Sequence, residues 1–162
     1  MQSGVFKEMI LASERIHNDE GIPPWRGFHH VALVTPDLDS TIRFYGGVLG
    51  MRVGEVVAAT ERQGRHCFIK PGDDETWGLH FFELADARIF AYPETFERFA
   101  FVPGALQHVA FGLPDEESAL SLRRRLAAFG VEVTDITNLG PISNMLFRDN
   151  NGLLLEATWP QS

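Results

Sequence analysis

Apolar residues recur along the chain with two different periods, and the alternation of these periods outlines a fold. Residues 37–49 and 115–129 have apolar positions at helical spacing, and each stretch is followed by a glycine. Shorter runs rich in β-branched and aromatic residues, bounded by turn formers, are typical of strands. These runs cover residues 28–35, 51–59, 65–70, 79–84, 106–113, 131–136, 142–148 and 153–158.

The predicted elements follow the order strand, helix, strand, strand, strand, and this order occurs twice. The first strand of each copy contains a similar eight-residue sequence, HVALVTPD from His30 and HVAFGLPD from His108. So short a match is weak alone, but its agreement with the order of elements is what a duplicated unit predicts. The chain therefore divides into modules at 28–84 and 106–159, joined by a connection over 85–105.

Residues 1–27 precede the first copy and differ from it in composition. Apolar residues within 6–18 have helical spacing among charges, and the following segment NDEGIPPWRG is rich in turn formers. We expect a short amphipathic helix and a linker outside the duplicated unit. The overall expectation is an α+β fold with an N-terminal helical extension.

A histidine is the third residue of the first predicted strand in both copies. On a regular strand His30 shares a face with Ala32, and His108 shares the equivalent face with Ala110. If the two copies pack about a pseudo-twofold axis, these two imidazoles converge. His29 lies on the other face and has no counterpart in the second copy, so it is not a candidate. A lone strand histidine is more often structural than a ligand. The matched positions of His30 and His108 favour a ligand role for this pair.

The last strand of each copy places ionisable residues inside an apolar run. Glu156 lies within GLLLEATW, where a carboxylate must be paired, ligated or turned outward. The equivalent run GLHFFEL offers His80 and Glu83, which have opposite parity, so at most one of them faces the other candidates. Two imidazoles, a carboxylate and a fourth His or Glu form a ligand set for a divalent metal with an open coordination position.

Charge and cysteine content narrow the class of protein. The chain has 162 residues, a formal net charge of −8 and a pI near 5.2, which argues against non-specific nucleic-acid binding. No apolar run reaches the roughly 20 residues that span a bilayer, and the N-terminus lacks the character of a signal peptide. Cys67 is the only cysteine, which excludes an intramolecular disulfide, so we expect a cytoplasmic protein.

Three segments together resemble the vicinal oxygen chelate superfamily, which includes glyoxalase I, methylmalonyl-CoA epimerase, extradiol dioxygenases and bleomycin-binding proteins. The segments are FHHVALVTPDLDSTIRFYGGVLGMRV, LQHVAF and GPISNMLFRDNNGLLLEATW, and the resemblance covers residues 28–159. It implies two βαβββ modules that form a glyoxalase-like fold around a shared metal cavity. The chain has RDNNG where the family often has an aspartate-proline-aspartate turn, a departure that should leave the metal site intact.

The resemblance also implies a residue for each metal-ligand position. The first-strand and fifth-strand ligands of the family match His30 and His108, and its eighth-strand carboxylate matches Glu156. The fourth-strand ligand falls on His80 or Glu83, and the position of His80 early in its strand, as in similar relatives, favours His80. The implied cofactor is a divalent metal ion, either Fe, Zn, Ni, Mn or Co.

By the same resemblance, we expect a metal-dependent glyoxalase-like enzyme that performs lyase or isomerase chemistry on a small carbonyl compound. The metal would act as a Lewis acid on an enediolate, and Glu156 would move a proton next to the carbonyl. Two alternatives stay open: a small iron(II) extradiol-type dioxygenase, and a metal-free resistance protein that binds a small molecule. The expected partners are the substrate and a second copy of the chain in a homodimer.

Overall fold

The computed structural model describes residues 23, 27–73, 78–88 and 106–161. The predicted N-terminal helix lies outside the described residues, as does most of the predicted connection over 85–105. No helix in the described part of the chain is both long and apolar enough to cross a membrane.

The described residues form two modules with the same order of elements. The N-terminal module consists of β1 (His30–Thr35), α1 (Leu38–Ile42), a π-helical segment (Arg43–Val48), β2 (Arg52–Val53), β3 (His66–Lys70) and β4 (Gly78–Glu83). The C-terminal module consists of β5 (Val109–Gly112), α2 (Glu116–Ala128), β6 (Thr137–Asn138), β7 (Ile142–Arg148) and β8 (Leu154–Pro160). The predicted pair of βαβββ modules is confirmed.

Each module folds into one four-stranded sheet. The strand orders are β1-β4-β3-β2 and β5-β8-β7-β6. In both sheets the first strand runs parallel to the last strand of its module, and the remaining neighbours are antiparallel. The helix after the first strand carries the chain to the opposite edge of the sheet, where the second strand begins.

The second strand of the N-terminal module is shorter than predicted. The sequence indicated a strand over 51–59, but β2 has 2 residues, and one further bridge joins Val57 to His66. Gly54 lies between them, and its N–H donates to the Phe68 carbonyl at 2.8 Å. A Cβ at this glycine would lie 3.1 Å from that carbonyl oxygen, so a larger residue here would crowd β3. Regular pairing stops after this hydrogen bond and returns only at the Val57 bridge.

The second strand of the C-terminal module also differs from its prediction. The run over 131–136 contributes only a bridge between Val133 and Phe147, and β6 forms just after it. Next to the bridge, the Thr134 N–H donates to the Leu146 carbonyl, while the Thr134 hydroxyl accepts from the Leu146 N–H. The side chain thus replaces a backbone acceptor and ends the ladder at this point.

The first helix changes its hydrogen-bonding pattern partway. The Asp37 carboxylate accepts from the Ser40 N–H and caps α1. In the π-helical segment the Leu49 N–H donates to the Phe44 carbonyl, five residues back. Gly46 allows the wider turn to pack closely on β2, because a Cβ there would lie 2.8 Å from a Val53 methyl.

Each sheet has a helix-covered face and an open face. On β4, the buried side chains of Leu79 and Phe81 point to the helical layer, and the Phe81 ring lies 5.0 Å from the Tyr45 ring. The other face carries His80. On β1, His30 and Ala32 are exposed while their neighbours are half-buried. The helix-covered faces of both modules build the core, which contains Leu38, Phe44, Tyr45, Cys67, Ile69, Leu79, Phe81, Ala119, Leu126, Met145, Phe147, Leu155, Ala157 and Trp159.

Polar contacts at the β7–β8 turn join the two modules. The buried Asp149 carboxylate accepts hydrogen bonds from the Tyr45 hydroxyl at 2.9 Å and from the N–H groups of Asn151 and Leu153. Burial raises the pKa of Asp149, although these hydrogen bonds oppose the effect. The Thr35 hydroxyl in turn donates to the Asn151 side chain. The RDNNG turn of this chain is therefore a contact between modules.

A partly exposed ion pair ties β4 to the start of α1. The Arg65 guanidinium donates to both Glu83 carboxylate oxygens at 2.7 Å and to the more exposed Asp39 carboxylate at 3.1 and 3.2 Å. The Leu38 N–H donates to the same Glu83 carboxylate. The hydrogen bond from Arg65, followed by that from Leu38, lowers the pKa of Glu83.

We predict that Glu83→Gln lowers the free energy of unfolding at neutral pH, because the amide cannot keep both charge-assisted bonds. The folded-state pKa of Glu83 is lowered, so its stabilising contribution is complete above the ordinary glutamate pKa of about 4.3 and is lost as the pH falls through the folded value. Urea unfolding curves of wild type and variant should therefore converge as the pH is lowered from neutral through the folded-state pKa of Glu83.

The matched control is Asp39→Asn, which alters only the more exposed partner of Arg65 and should cost less stability. A difference between wild type and Glu83→Gln that stays constant across this pH range would contradict the assignment.

Candidate functional site

His30 and His80 meet on the open face of the first sheet. The parallel register of β1 and β4 pairs Ala32 with His80, which places His30 two residues before that pair on the same face. The two imidazole centroids are 5.6 Å apart. Metal–nitrogen distances are roughly 2 Å, so an ion between two rings at this spacing can contact both.

The His80 ring is held between two aromatic rings. Its centroid lies 3.9 Å from the Phe68 ring, which stacks on it, and 4.1 Å from the Phe82 ring. Burial, followed by the neighbouring His66 and His30, lowers the pKa of His80. The neutral imidazole is therefore the favoured form at neutral pH, and neutral imidazole is the form that binds a metal.

Gly78 allows the backbone geometry that places His80. It begins β4 with φ of +73°, and a Cβ at this position would lie 2.6 Å from the Ile69 carbonyl oxygen. An L side chain would push β4 away from β3. With glycine, the two strands keep the register that sets His80 directly across from Phe68.

A third histidine, His66 on β3, lies on the same face and was not selected from the sequence. Its Nδ1 lies 2.9 Å from His80 Nε2, and its ring stacks on Phe82 at 5.1 Å. In the run RHCFIK, His66 has the opposite parity to the buried Cys67, which indicated its face. The register of β3 against β4, which brings it to His80, cannot be read from that run.

Glu83, the alternative fourth-strand candidate, faces away from the histidines. It pairs with Thr35 in the register of β1 and β4 and has the opposite parity to His80. Its carboxylate is held by Arg65 and by the Leu38 N–H. Moving it to the open face would cost these charge-assisted bonds.

His108 and Glu156 form a second pair on the other sheet. His108 Nε2 lies 3.1 Å from a Glu156 carboxylate oxygen. Glu156 is buried, with 8% of its surface exposed, although it lies in an apolar strand. The Gln107 side-chain oxygen contacts His108 Nδ1, so Nε2 is the nitrogen turned toward the carboxylate. The imidazole thus provides Glu156 with the partner that a buried carboxylate needs.

The two pairs occupy equivalent places in the two sheets. In the first sheet, the residue two positions after His30 pairs with His80. In the second sheet, the residue two positions after His108 pairs with Glu156. His80 and Glu156 are therefore structural counterparts, and the asymmetry between the repeats consists of an imidazole exchanged for a carboxylate.

The four candidates do not come together within one chain. Nowhere in the described residues do three or more His, Cys, Asp or Glu side chains form a group able to hold a metal ion. His30 with His80 and His108 with Glu156 are instead two pairs on separate sheets. Imidazole and carboxylate donors suit the expected divalent metals, so the donor chemistry fits, but a single chain presents it in two halves.

A groove lies between the modules, and Ala110, the strand partner of Glu156, lines part of it. Its volume is about 710 Å³, and its walls include Leu49 and Met51 from the first module and Phe111, Leu122 and Arg125 from the second. None of the candidate metal ligands lines it. The Arg125 guanidinium at its rim donates to the carbonyls that end the π-helical segment, which gives this side chain a structural role.

Comparisons with known proteins agree with the geometry of the sheets. Residues 27–157 match the model of the Glyoxalase/Bleomycin resistance protein/Dioxygenase superfamily. A search of curated proteins finds no match.

Solved structures give the same picture. A glyoxylase/bleomycin resistance protein/dioxygenase domain from Frankia sp. EAN1pec is 21% identical with a TM-score of 0.67, covering 85% of this chain and 99% of that one. The protein SMU.1112c is 30% identical with a TM-score of 0.60, covering 82% of this chain and 98% of that one. A trypanothione-dependent glyoxalase I from Leishmania major is 21% identical with a TM-score of 0.60, covering 82% and 86%. The duplicated βαβββ sheets and a family match over most of the chain show that this protein belongs to the glyoxalase, bleomycin resistance and dioxygenase superfamily, the vicinal oxygen chelate proteins.

Proposed function

We propose that the protein is a divalent-metal-dependent enzyme of the glyoxalase type, which performs lyase or isomerase chemistry on a small carbonyl compound. The observation that carries this proposal is Glu156, a carboxylate buried in an apolar strand, in contact with His108 and in the place that His80 occupies in the other sheet. A protein that only sequesters a small molecule has no need to bury such a group at a cost in desolvation.

Four side chains have assigned roles in the proposed enzyme. His30, His80, His108 and Glu156 hold the metal, which when bound supplies Lewis acidity that stabilises negative charge on the substrate oxygens. Glu156 also takes the proton from the carbon next to the carbonyl and returns it. His108 Nε2 contacts the carboxylate at 3.1 Å, and this contact keeps the two side chains side by side, where both would ligate the metal.

The proposed site requires a second chain. Both pairs lie on the open faces of their sheets, where His30 and Ala32 on β1 and Ala110 on β5 are exposed in the single chain. A twofold interface is isologous, so it can set the first sheet of each chain against the second sheet of its partner. We infer a homodimer with two metal sites, each built from His30 and His80 of one chain and His108 and Glu156 of its partner.

Mixing two inactive variants tests this shared site. One variant carries His30→Ala with His80→Ala, and the other carries His108→Ala with Glu156→Gln. Neither variant should bind Co²⁺ alone, because each homodimer lacks half of both sites. After refolding an equimolar mixture, the heterodimers regain one intact site each, so about one quarter of all sites should bind Co²⁺.

Recovery after mixing is measured as bound Co²⁺ per chain. The control is each variant refolded alone at the same total concentration. If the mixture binds no more Co²⁺ than the separate variants, although wild type binds it, the shared site is wrong.

The proton-transfer step predicts exchange of substrate hydrogen with solvent. Wild-type protein loaded with Zn²⁺, Ni²⁺ or Co²⁺ should catalyse deuterium uptake from D₂O at the carbon next to the carbonyl in at least one of a panel of small aldehydes and ketones, followed by NMR. Glu156→Gln should lower the rate at least about 100-fold, because general acid–base catalysis contributes on this scale.

Metal content is measured alongside, and the loss of rate is assigned to proton transfer only in Glu156→Gln protein that retains metal. Oxygen uptake with catechols by the Fe²⁺ protein, without deuterium exchange, would replace the proposal by a dioxygenase. If wild-type protein retains no stoichiometric metal, the proposed enzyme would be replaced by a metal-free protein that binds a small molecule.

A further inference from the structure

We propose that His66 is a positioning residue of the metal centre, and that its imidazole holds the His80 ring so that Nδ1 of His80 is the nitrogen left for the metal. The inference rests on the proposed metal site. His66 has no place in the ligand pattern of the superfamily and is assigned here from its contact with His80 alone.

The contact between the two imidazoles defines the assignment. His66 Nδ1 lies 2.9 Å from His80 Nε2, a distance at which one nitrogen donates and the other accepts. An imidazole that ligates a metal through one nitrogen keeps a proton on the other and donates it to a fixed partner. His80 Nε2–H is therefore the donor, and His66 Nδ1 is the acceptor.

His66 is itself held firmly enough to serve as such a partner. Its backbone N–H donates to the Val57 carbonyl, and its carbonyl accepts from the Val57 N–H. Its ring stacks on Phe82 with an angle of 26° between the planes. The next residue, Cys67, is buried on the other face of the sheet, with 1% of its surface exposed. Little freedom remains for the imidazole to turn away from His80.

The equivalent position in the second sheet has a different residue. In the first sheet His66 pairs with the residue two positions after His80, and in the second sheet Asn144 pairs with the residue two positions after Glu156. Glu156 already has His108 beside it. The additional imidazole occurs only where the fourth-strand candidate is a histidine, whose ring orientation and tautomer have to be set.

The test measures Co²⁺ affinity at constant pH by competition with a chelator, in full-length protein. His66→Ala should weaken binding about 10- to 100-fold, the usual effect of removing the hydrogen-bond partner of a ligating histidine. His66→Asn should recover most of the affinity, because its amide oxygen can accept near the position of Nδ1. Lys70→Ala, on the same strand and face, is the control and should bind like wild type.

A second measurement needs no variant. In long-range ¹H–¹⁵N NMR spectra of wild-type protein loaded with Zn²⁺, His80 should show a metal-bound Nδ1 and a protonated Nε2. Ligation through Nε2, or a His66→Ala protein that binds Co²⁺ as tightly as wild type, would overturn the inference and leave the metal site intact. Wild-type protein that binds no Co²⁺ would overturn the proposed function as well.

Discussion

The parallel pairing of the first and last strands within each module is the constraint on which the site depends. In the first sheet this pairing places His80 opposite Ala32, two residues after His30. In the second sheet it places Glu156 opposite Ala110, two residues after His108. A slip of one residue would turn His80 or Glu156 to the helix-covered face. The register is held by packing on that face, where Phe81 lies against Tyr45, and Tyr45 in turn donates to Asp149 of the other module. The geometry of the candidate ligands is thus a consequence of the core.

Much of this arrangement could be predicted from the sequence because it depends on local periodicity. The parity of His30 and His108 on their strands, and the duplicated order of elements, required only the alternation of side chains. The second strands were predicted too long, because where their pairing stops depends on the neighbouring strand, on Phe68 in the first module and on Leu146 in the second. His66 escaped selection for the same kind of reason: its partner is set by the register between strands and lies outside its own run.

The duplicated sequence predicts a single four-ligand site that the described part of one chain does not assemble. The matched positions of the four candidates predict that they converge about a pseudo-twofold axis, but the described chain keeps them as two pairs on two sheets. Between the modules lie the polar contacts of the β7–β8 turn and the groove that Arg125 lines. In the proposed homodimer, a second copy would present the same two faces in reverse order and would supply to each pair the ligands that this pair lacks.

A crystal structure of Co²⁺-loaded protein with anomalous diffraction at the cobalt edge would show whether a metal ion binds between two chains. The proposed homodimer predicts two equivalent cobalt peaks per dimer, each ligated by His30 and His80 of one chain and by His108 and Glu156 of its partner. A cobalt ion ligated by residues of a single chain, or by a set that omits Glu156, would contradict it.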